Sequence, residues 1–283
     1  MYSEICGYTI YYEISGDAEK EWLILLHGIA GSTKCWKYQL DDFNKHFRVL
    51  SLDLAGHGNS SPLSIEKYSG ELIANQLRVL MEELQISKAH ILGLSLGTII
   101  LQYFCEMFPE KVISVILASP VSKPNYISAI FNSFTQKIFL KIFKKNIYLR
   151  LMSLLMLPGK AHERSRKFFL SETLKMNGTE FTKWIRLATK GDHYYYISPS
   201  HIPALIVAGE KDFCYFNDAV MLKEKYLNNQ FKVIKDAGHV FIFQKPAEFN
   251  NMVIGFINSL TGKDACTTPP EQHSEPQEDK KLA

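Results

Sequence analysis

The stretch HILGLSLGTI, residues 90–99, places one serine between two glycines at the end of an apolar run. Ile91 and Leu92 are typical of a short buried strand, and the apolar spacing of residues 98–108 is typical of a helix. A strand that turns into a helix within one or two residues forces the turn residue into a strained backbone conformation. We therefore predict a sharp strand–turn–helix with Ser95 at its apex.

The two glycines beside this serine allow the strand and the helix to pass close together. Gly93 and Gly97 carry no side chain, so neither limb of the turn obstructs the other. The Gly-x-Ser-x-Gly pattern alone is weak, because glycine and serine are common in ordinary turns. The flanking strand and helix strengthen the prediction that Ser95 stands at the end of a sheet, above the N-terminus of the next helix.

The rest of the chain alternates between short β-rich runs and helical segments. Most of the runs are continuously apolar, as expected for parallel strands covered on both faces, and the first alternates like a half-exposed antiparallel strand. The predicted strands are YTIYYEIS (8–15), WLILL (22–26), FRVLSLDL (47–54), AHILGLS (89–95), VISVILAS (112–119), ALIVAG (204–209) and FKVIKDAG (231–238). With helices predicted at 69–84 and 247–260, the pattern is βαβ and the fold class is α/β.

The alternation breaks between residues 121 and 200. Apolar residues recur there at helical spacing, from Ile127 to Ile142 and again in a second run. An all-helical insertion between two strands of one sheet is the simplest account. We therefore predict a core made of residues 1–120 and 201–262, with a helical cap formed by residues 121–200.

Charge and composition distinguish the cap and the tail from the core. Residues 121–170 hold ten Lys and Arg and one acidic residue, Glu163. A basic helical face of this kind is usually exposed to solvent. The alternative is that the cap contacts acidic or lipid-like partners. Residues 263–283 are rich in Pro, Glu, Gln and Lys and are predicted to be a disordered tail.

Composition also narrows the class of protein. A net charge of +3 is too small to indicate a nucleic-acid partner. The five cysteines form no CxxC pair and are odd in number, which favours neither a disulfide framework nor a zinc site. The first thirteen residues lack the features of a signal peptide, and no apolar run reaches the ~18 residues of a membrane span. We expect a cytoplasmic protein.

A carboxylate and an imidazole follow two later predicted strands. Asp212 comes just after ALIVAG, and His239 follows FKVI after a short loop. The carboxyl ends of parallel strands surround the binding crevice of an open sheet, so these side chains should converge on Ser95. A serine nucleophile needs a base to take its proton and a carboxylate to orient that base. We predict the catalytic residues Ser95, His239 and Asp212 in those roles.

Other acids compete for the orienting role, and one more loop completes the predicted site. Position favours Asp212 over the nearby candidates, which are Glu210, Asp218 and Asp236. The loop after WLILL begins with His27 and Gly28, and its glycines would let the backbone fold beneath a substrate carbonyl. The backbone N–H groups of Ile29 and Leu96 could then hold a developing oxyanion.

Five segments together resemble the marker motifs of the α/β-hydrolase superfamily, in the family's order of nucleophile, acid and histidine. They are HGIAGS (27–32), DLAGHGNS (53–60), GLSLG (93–97), GEKD (209–212) and AGH (237–239). The resemblance implies an eight-stranded, mostly parallel sheet with a helical cap after the sixth strand. It also implies that His27 and His57 shape loops, and that the turn of Asp53, Gly56, Gly58 and Ser60 braces the fold beside the nucleophile.

Two further expectations concern the cysteine thiols and possible metal ligands. Cys35 and Cys214 flank the predicted site, and each is expected to be a buried, inert thiol. No His, Asp and Glu cluster has the spacing of metal ligands, so neither a metal nor another cofactor is expected.

The serine at position 95 narrows the reaction that the resemblance implies. The haloalkane dehalogenase and epoxide hydrolase branches carry aspartate at the elbow, so acyl transfer remains. Apolar cap residues suggest a pocket for an apolar acyl group. We expect a hydrolase of carboxylic esters with small or medium acyl groups. The alternatives are a thioesterase, a lactonase, a carbon–carbon bond hydrolase, a slowly turning ligand receptor, or a lipid hydrolase that docks on membranes through the basic cap.

Overall fold

The fold is known from a computed structural model that describes residues 1–5, 7–122, 163–189 and 198–262, with isolated positions between 147 and 159. The strands in these ranges are β1 (Tyr2–Ile5), β2 (Tyr8–Ser15), β3 (Trp22–Leu26), β4 (Arg48–Leu52), β5 (Ala89–Leu94), β6 (Val112–Ala118), β7 (Ala204–Gly209) and β8 (Asn229–Ile234). They form one sheet in the order β1-β2-β4-β3-β5-β6-β7-β8.

The sheet is parallel except at one edge. β1 pairs with β2, and β2 with β4, in antiparallel register, while β3 to β8 pair in parallel with their neighbours. β4 lies on one side of β3 and β5 on the other, so the strand order reverses at β3. Loops that follow β3 and β5 therefore face each other across the crevice where open α/β sheets bind ligands. The predicted α/β class with a mostly parallel sheet is confirmed.

Helices cover both faces of this sheet. Those in the described ranges are α1 (Leu40–Phe43), α2 (Gly70–Glu83), α3 (Leu96–Met107), α4 (Glu163–Lys175), α5 (Gly178–Thr189), α6 (Phe216–Leu222), α7 (Phe241–Gln244) and α8 (Pro246–Thr261). Within β5, Ile91 packs into the apolar cluster that includes α2 and α3, and Leu92 into the one that includes α1 and α8. The continuous apolar run of β5 is therefore buried on both faces.

The predicted strands differ from the structure by one or two residues at several ends, and by more at two strands. β1 is not predicted because only Ile5 in it is buried, which leaves no alternation to detect. The last strand was expected to run to residue 238, but β8 ends at Ile234. Asp236 has a φ of 56°, a left-handed conformation that ends extended pairing, and its N–H bonds to the Glu210 carboxylate at 3.0 Å.

α4 and α5 lie within the segment predicted as the helical cap. Trp184 anchors α5, because its Nε1–H donates to the Ala55 carbonyl at 2.9 Å. The Lys183 ammonium donates to the Leu63 carbonyl at 3.2 Å and to Glu180 Oε1 at 2.8 Å. The bonds to Ala55 and Leu63 fix α5 on the loop that follows β4.

Several predictions fall outside the described residues. They concern the helical run from 127 to 142, the basic positions up to 146, and the tail 263–283. Among the helices of the described ranges, none has both the length and the apolar character needed to cross a bilayer.

Candidate active site

The turn after β5 is as sharp as its sequence predicts. Ser95 has a φ of 51° and a ψ of −112°, which is uncommon for a residue with a side chain. A Cβ atom on Gly93 would lie 2.7 Å from the Gly97 carbonyl oxygen, and one on Gly97 would lie 2.2 Å from the Leu26 oxygen. Only glycine fits at either position. The close approach places Ser95 directly beside the end of β3.

The structure brings the predicted serine, histidine and aspartate together. His239 Nε2 lies 2.8 Å from Ser95 Oγ, and His239 Nδ1 lies 2.7 Å from Asp212 Oδ2. All three side chains are at most 9% exposed. An ionised carboxylate only accepts, so Nδ1 carries the proton and Nε2 is free to accept from the serine hydroxyl. The arrangement can therefore pass a proton from Ser95 to His239.

The competing carboxylates make other contacts. Glu210 accepts the N–H of Asp236 at 3.0 Å, and the exposed Asp236 carboxylate pairs with Lys211 at 2.6 Å. Asp218 accepts the N–H of Ser122 at 2.8 Å. Asp212 is the acid that reaches the imidazole of His239.

The loop after β3 runs beside the serine. A Cβ on Gly28 would lie 3.4 Å from the Cβ of Ser95. Leu96 is the first residue of α3, and the first N–H groups of a helix have no acceptor within it. The N–H groups of Ile29, in the loop after β3, and of Leu96, at the start of α3, therefore stay the predicted oxyanion donors.

Two buried histidines shape this loop through their ring nitrogens. His27 Nε2 accepts the Leu54 N–H at 3.0 Å, and its Nδ1–H donates to the Gly28 carbonyl at 2.7 Å. His57 Nε2 accepts the Ala30 N–H at 3.1 Å. Burial lowers the pKa of His27. Burial, and then the repulsion that a protonated His27 would exert, lower the pKa of His57 well below the usual value. Both imidazoles are therefore neutral and each serves as donor and acceptor at once.

Asp53 organises the neighbouring turn. Its Oδ1 accepts the Thr33 N–H at 2.7 Å, and its Oδ2 accepts the Asn59 N–H at 2.8 Å. A Cβ on Gly58 would lie 2.0 Å from Oδ2, so the turn closes on the carboxylate only with glycine there. Ser60 donates from its hydroxyl to the Asp53 carbonyl at 2.6 Å. These contacts give Asp53 the bracing position that the resemblance implies.

Three residues near the imidazole were not predicted. The Tyr215 ring lies 4.8 Å from the His239 ring, and burial raises the pKa of its hydroxyl. Gln244 Oε1 accepts the Gly238 N–H at 2.9 Å, and the Ser119 hydroxyl donates to the His239 carbonyl at 2.5 Å. Ser119 could have been noticed in the sequence because it is a polar residue at the end of the predicted strand VISVILAS.

The flanking cysteines are protonated thiols. Burial raises the pKa of Cys35 well above its usual value and that of Cys214 to about 11. Both are free of disulfides. Thiolate character controls cysteine reactivity, so the raised pKa values favour the unreactive thiol form at both positions. Cys35 is buried as predicted, whereas Cys214 is only partly buried.

A cavity of about 220 Å³ lies between the loop after β3, the loop after β4, and helices α4 and α5. Its lining includes Ala30, His57, Glu172, Lys175 and Glu180, and combines polar with apolar surface. The apolar run from Ile127 to Ile142, which the sequence assigns to the cap, lies outside the described residues. Among the described residues, no cluster of His, Cys, Asp and Glu could hold a metal ion.

Comparison with known proteins decides the family. The sequence profile described as "alpha/beta hydrolase fold" matches residues 21–246, most of the chain. This chain belongs to the α/β-hydrolase fold family. The resemblance seen in the five motifs is thereby confirmed.

Relatives of this α/β-hydrolase carry several activities in their names. The uncharacterized carboxylesterase nap of Bacillus subtilis is 26% identical over 259 residues, covering 88% of this chain and 83% of that protein. Epoxide hydrolase 4 of Mus musculus is 23% identical over 282 residues, covering 91% and 79%. The crystal structure of the enol-lactonase from Burkholderia xenovorans LB400 superposes with a TM-score of 0.81 at 18% identity. The superposition covers 91% of this chain and 100% of the enol-lactonase chain.

Proposed function

We propose that this α/β-hydrolase cleaves carboxylic esters of small or medium apolar acyl groups through an acyl-enzyme on Ser95. The observation that carries the proposal is the continuous hydrogen-bonded chain from Ser95 Oγ through His239 to Asp212, with links of 2.8 and 2.7 Å. Both links lie within the reach that a nucleophile and its general base require. The carboxylesterase from Bacillus subtilis supports this choice of bond.

In the proposed reaction His239 takes the proton of Ser95 while Oγ attacks the acyl carbon. The N–H groups of Ile29 and Leu96 hold the resulting oxyanion, and His239 then protonates the leaving alcohol. A water molecule, deprotonated by His239, attacks the acyl-enzyme and releases the acid and the free serine. Asp212 stays ionised throughout and stabilises the imidazolium that forms in each step.

The nucleophile itself argues against the epoxide chemistry named for one relative. Attack of Ser95 on an epoxide would give an ether, which has no carbonyl carbon for water to attack. An acyl group on Ser95 gives an ester, which water can release with the help of His239. The serine therefore favours acyl substrates over epoxides.

The test combines active-site labelling with turnover. A fluorophosphonate should modify Ser95, located by peptide mapping, and p-nitrophenyl esters from acetyl to dodecanoyl should be hydrolysed with a preference for the shorter chains. Ser95→Ala should lower kcat by at least about 10⁴-fold. Ser114→Ala is the matched control, since this serine is buried in β6 with its hydroxyl 2.8 Å from His90 Nδ1.

Two results would overturn the proposal in different ways. Ester turnover that survives Ser95→Ala would place the chemistry elsewhere. A labelled Ser95 with negligible steady-state turnover of esters, an acyl thioester and lactones would favour a ligand receptor. If thioesters, lactones or a vinylogous diketone are turned over faster than esters, the proposed substrate class is wrong, and Ser95 remains the proposed nucleophile.

A further inference from the structure

The end of β6 contacts the main chains of both the nucleophile and the base. The Ala118 carbonyl accepts the N–H of Ser95 at 2.9 Å. The next residue, Ser119, donates its hydroxyl to the carbonyl of His239 at 2.5 Å. Two consecutive residues of one strand end therefore link the backbones of Ser95 and His239.

Ser119 holds this position in a strained conformation. Its φ is 45°, in the left-handed region that residues with side chains seldom occupy. Its N–H donates to the Val207 carbonyl at 2.9 Å, which ties it to β7, and its side chain is 1% exposed. Strained residues of this kind persist only where the surroundings determine them fully, and they concentrate at active sites.

Several hydrogen bonds hold the loop that carries His239, and the bond from Ser119 is closer to the imidazole than two others along the loop. The Lys211 N–H donates to the Ala237 carbonyl at 2.8 Å, and Gly238 donates to Gln244 at 2.9 Å. These two hold the residues before His239. The Ser119 hydroxyl holds the carbonyl of His239 itself, and so orients the peptide unit from which the imidazole projects.

We propose that Ser119 is a positioning residue that sets the separation between His239 Nε2 and Ser95 Oγ for the reaction proposed above. Ala118 fixes the serine backbone and Ser119 fixes the histidine backbone, so the rigid end of β6 serves as the common reference for both. The inference depends on the proposed function, because positioning matters only if His239 acts on Ser95.

Removing the hydroxyl should lower the rate of chemistry and leave substrate binding unchanged. Ser119→Ala leaves the buried carbonyl of His239 without its donor and lets the imidazole deviate from Ser95. We expect kcat for p-nitrophenyl butyrate to fall about 10- to 100-fold, the cost of a misplacement of about 1 Å, with KM unchanged. The rate of fluorophosphonate labelling should fall by the same factor, measured per folded molecule.

A second variant separates the hydrogen bond from the backbone strain. Ser119→Gly also lacks the hydroxyl, but glycine adopts a φ of 45° without a steric penalty. A positioning role predicts the same loss of kcat in the glycine variant as in the alanine variant. A purely structural role predicts that glycine, with its strain relieved, restores kcat. The glycine variant also carries the test if the alanine variant fails to fold.

The control and the contradicting outcomes are separate from those of the proposed function. Ser114→Ala, in the same strand, should keep kcat within about twofold of wild type. A wild-type kcat in both Ser119 variants, with Ser95→Ala inactive, would overturn the positioning role alone. An equal loss in Ser114→Ala would attribute the effect to packing and overturn it as well. Activity that survives Ser95→Ala would instead remove the proposed function.

Discussion

Asp212 occupies both of its carboxylate oxygens within the site. Oδ2 accepts the Nδ1–H of His239 at 2.7 Å, and Oδ1 accepts the N–H of Tyr215 at 3.2 Å. The Tyr215 ring lies against the imidazole, with the ring centres 4.8 Å apart. Asp212 therefore holds His239 through a hydrogen bond and Tyr215 through a tilted ring contact, and together they limit rotation of the imidazole.

At this scale we predict the effect of Asp212→Asn. If the amide group donates to Nδ1, the imidazole proton moves to Nε2, which can then no longer accept from Ser95, and neither orientation of the amide stabilises an imidazolium. We expect kcat for p-nitrophenyl butyrate to fall by about 10³- to 10⁴-fold. Asp236→Asn, at the exposed pair with Lys211, should stay within about twofold. A variant of Asp212 that keeps a tenth of the wild-type rate would contradict the assigned role.

Strand ends explain which site residues the sequence could predict. Ser95, Asp212 and His239 each follow a recognisable apolar strand, and the topology of a parallel sheet then brings strand ends together. Ser119 contacts the His239 loop, which is distant in the chain, and Tyr215 packs its ring against the imidazole. Nothing in local spacing specifies that the Ser119 hydroxyl meets the His239 carbonyl, since this depends on the exact course of two loops.

The turn after β5 is the element on which the whole site depends. It needs glycine twice, because Gly93 and Gly97 pack against each other and against the end of β3. The sequence revealed this element well, since strand, turn and helix signals all lie within about twenty residues. It revealed β1 poorly, because a short edge strand with one buried residue has no periodicity to detect.

For this element we predict that Gly97→Ala destabilises the fold. The new Cβ would lie 2.2 Å from the Leu26 carbonyl oxygen, a backbone atom that cannot move without disturbing β3. We expect the free energy of unfolding in urea to fall by about 3 kcal/mol or more. Gly255→Ala in α8 is the matched control: its Cβ would meet nothing within 4 Å, and it should stabilise by up to about 1 kcal/mol. An unchanged unfolding free energy for Gly97→Ala would refute the tight packing.

Across the whole molecule, α5 is joined to the core by polar and aromatic contacts together. The Tyr68 hydroxyl donates to the Glu180 carboxylate, whose other oxygen accepts from Lys183 at 2.8 Å. The Trp184 ring lies between the rings of Tyr68 and His57, at 4.8 and 5.2 Å. His57 in turn holds the loop after β3, so the docking of α5 and the shape of the predicted oxyanion loop are physically connected.

This connection depends on two neutral histidines, and that makes the stability of the whole fold sensitive to acid. Burial lowers the pKa of His27 and of His57 below the ordinary imidazole value of about 6.5, so the unfolded chain binds protons at a higher pH than the folded one. Stability contributed by the neutral rings is therefore complete above about pH 6.5 and is lost as the pH falls below it. In that window each histidine should reduce the free energy of unfolding by up to about 1.4 kcal/mol per pH unit.

Urea unfolding at about pH 7.5 and about pH 5.5 measures this loss. His57→Gln should reduce by one the number of protons that the chain takes up on unfolding, and so weaken the pH dependence of the unfolding free energy. The amide oxygen can still accept the Ala30 N–H but does not titrate. Gly255→Ala, which removes no titratable group, should leave the dependence unchanged. If wild type and His57→Gln lose the same free energy over this interval, His57 is not held neutral in the folded state. The loop that borders Ser95 would then have to be fixed by other contacts, because a protonated Nε2 cannot accept the N–H of Ala30.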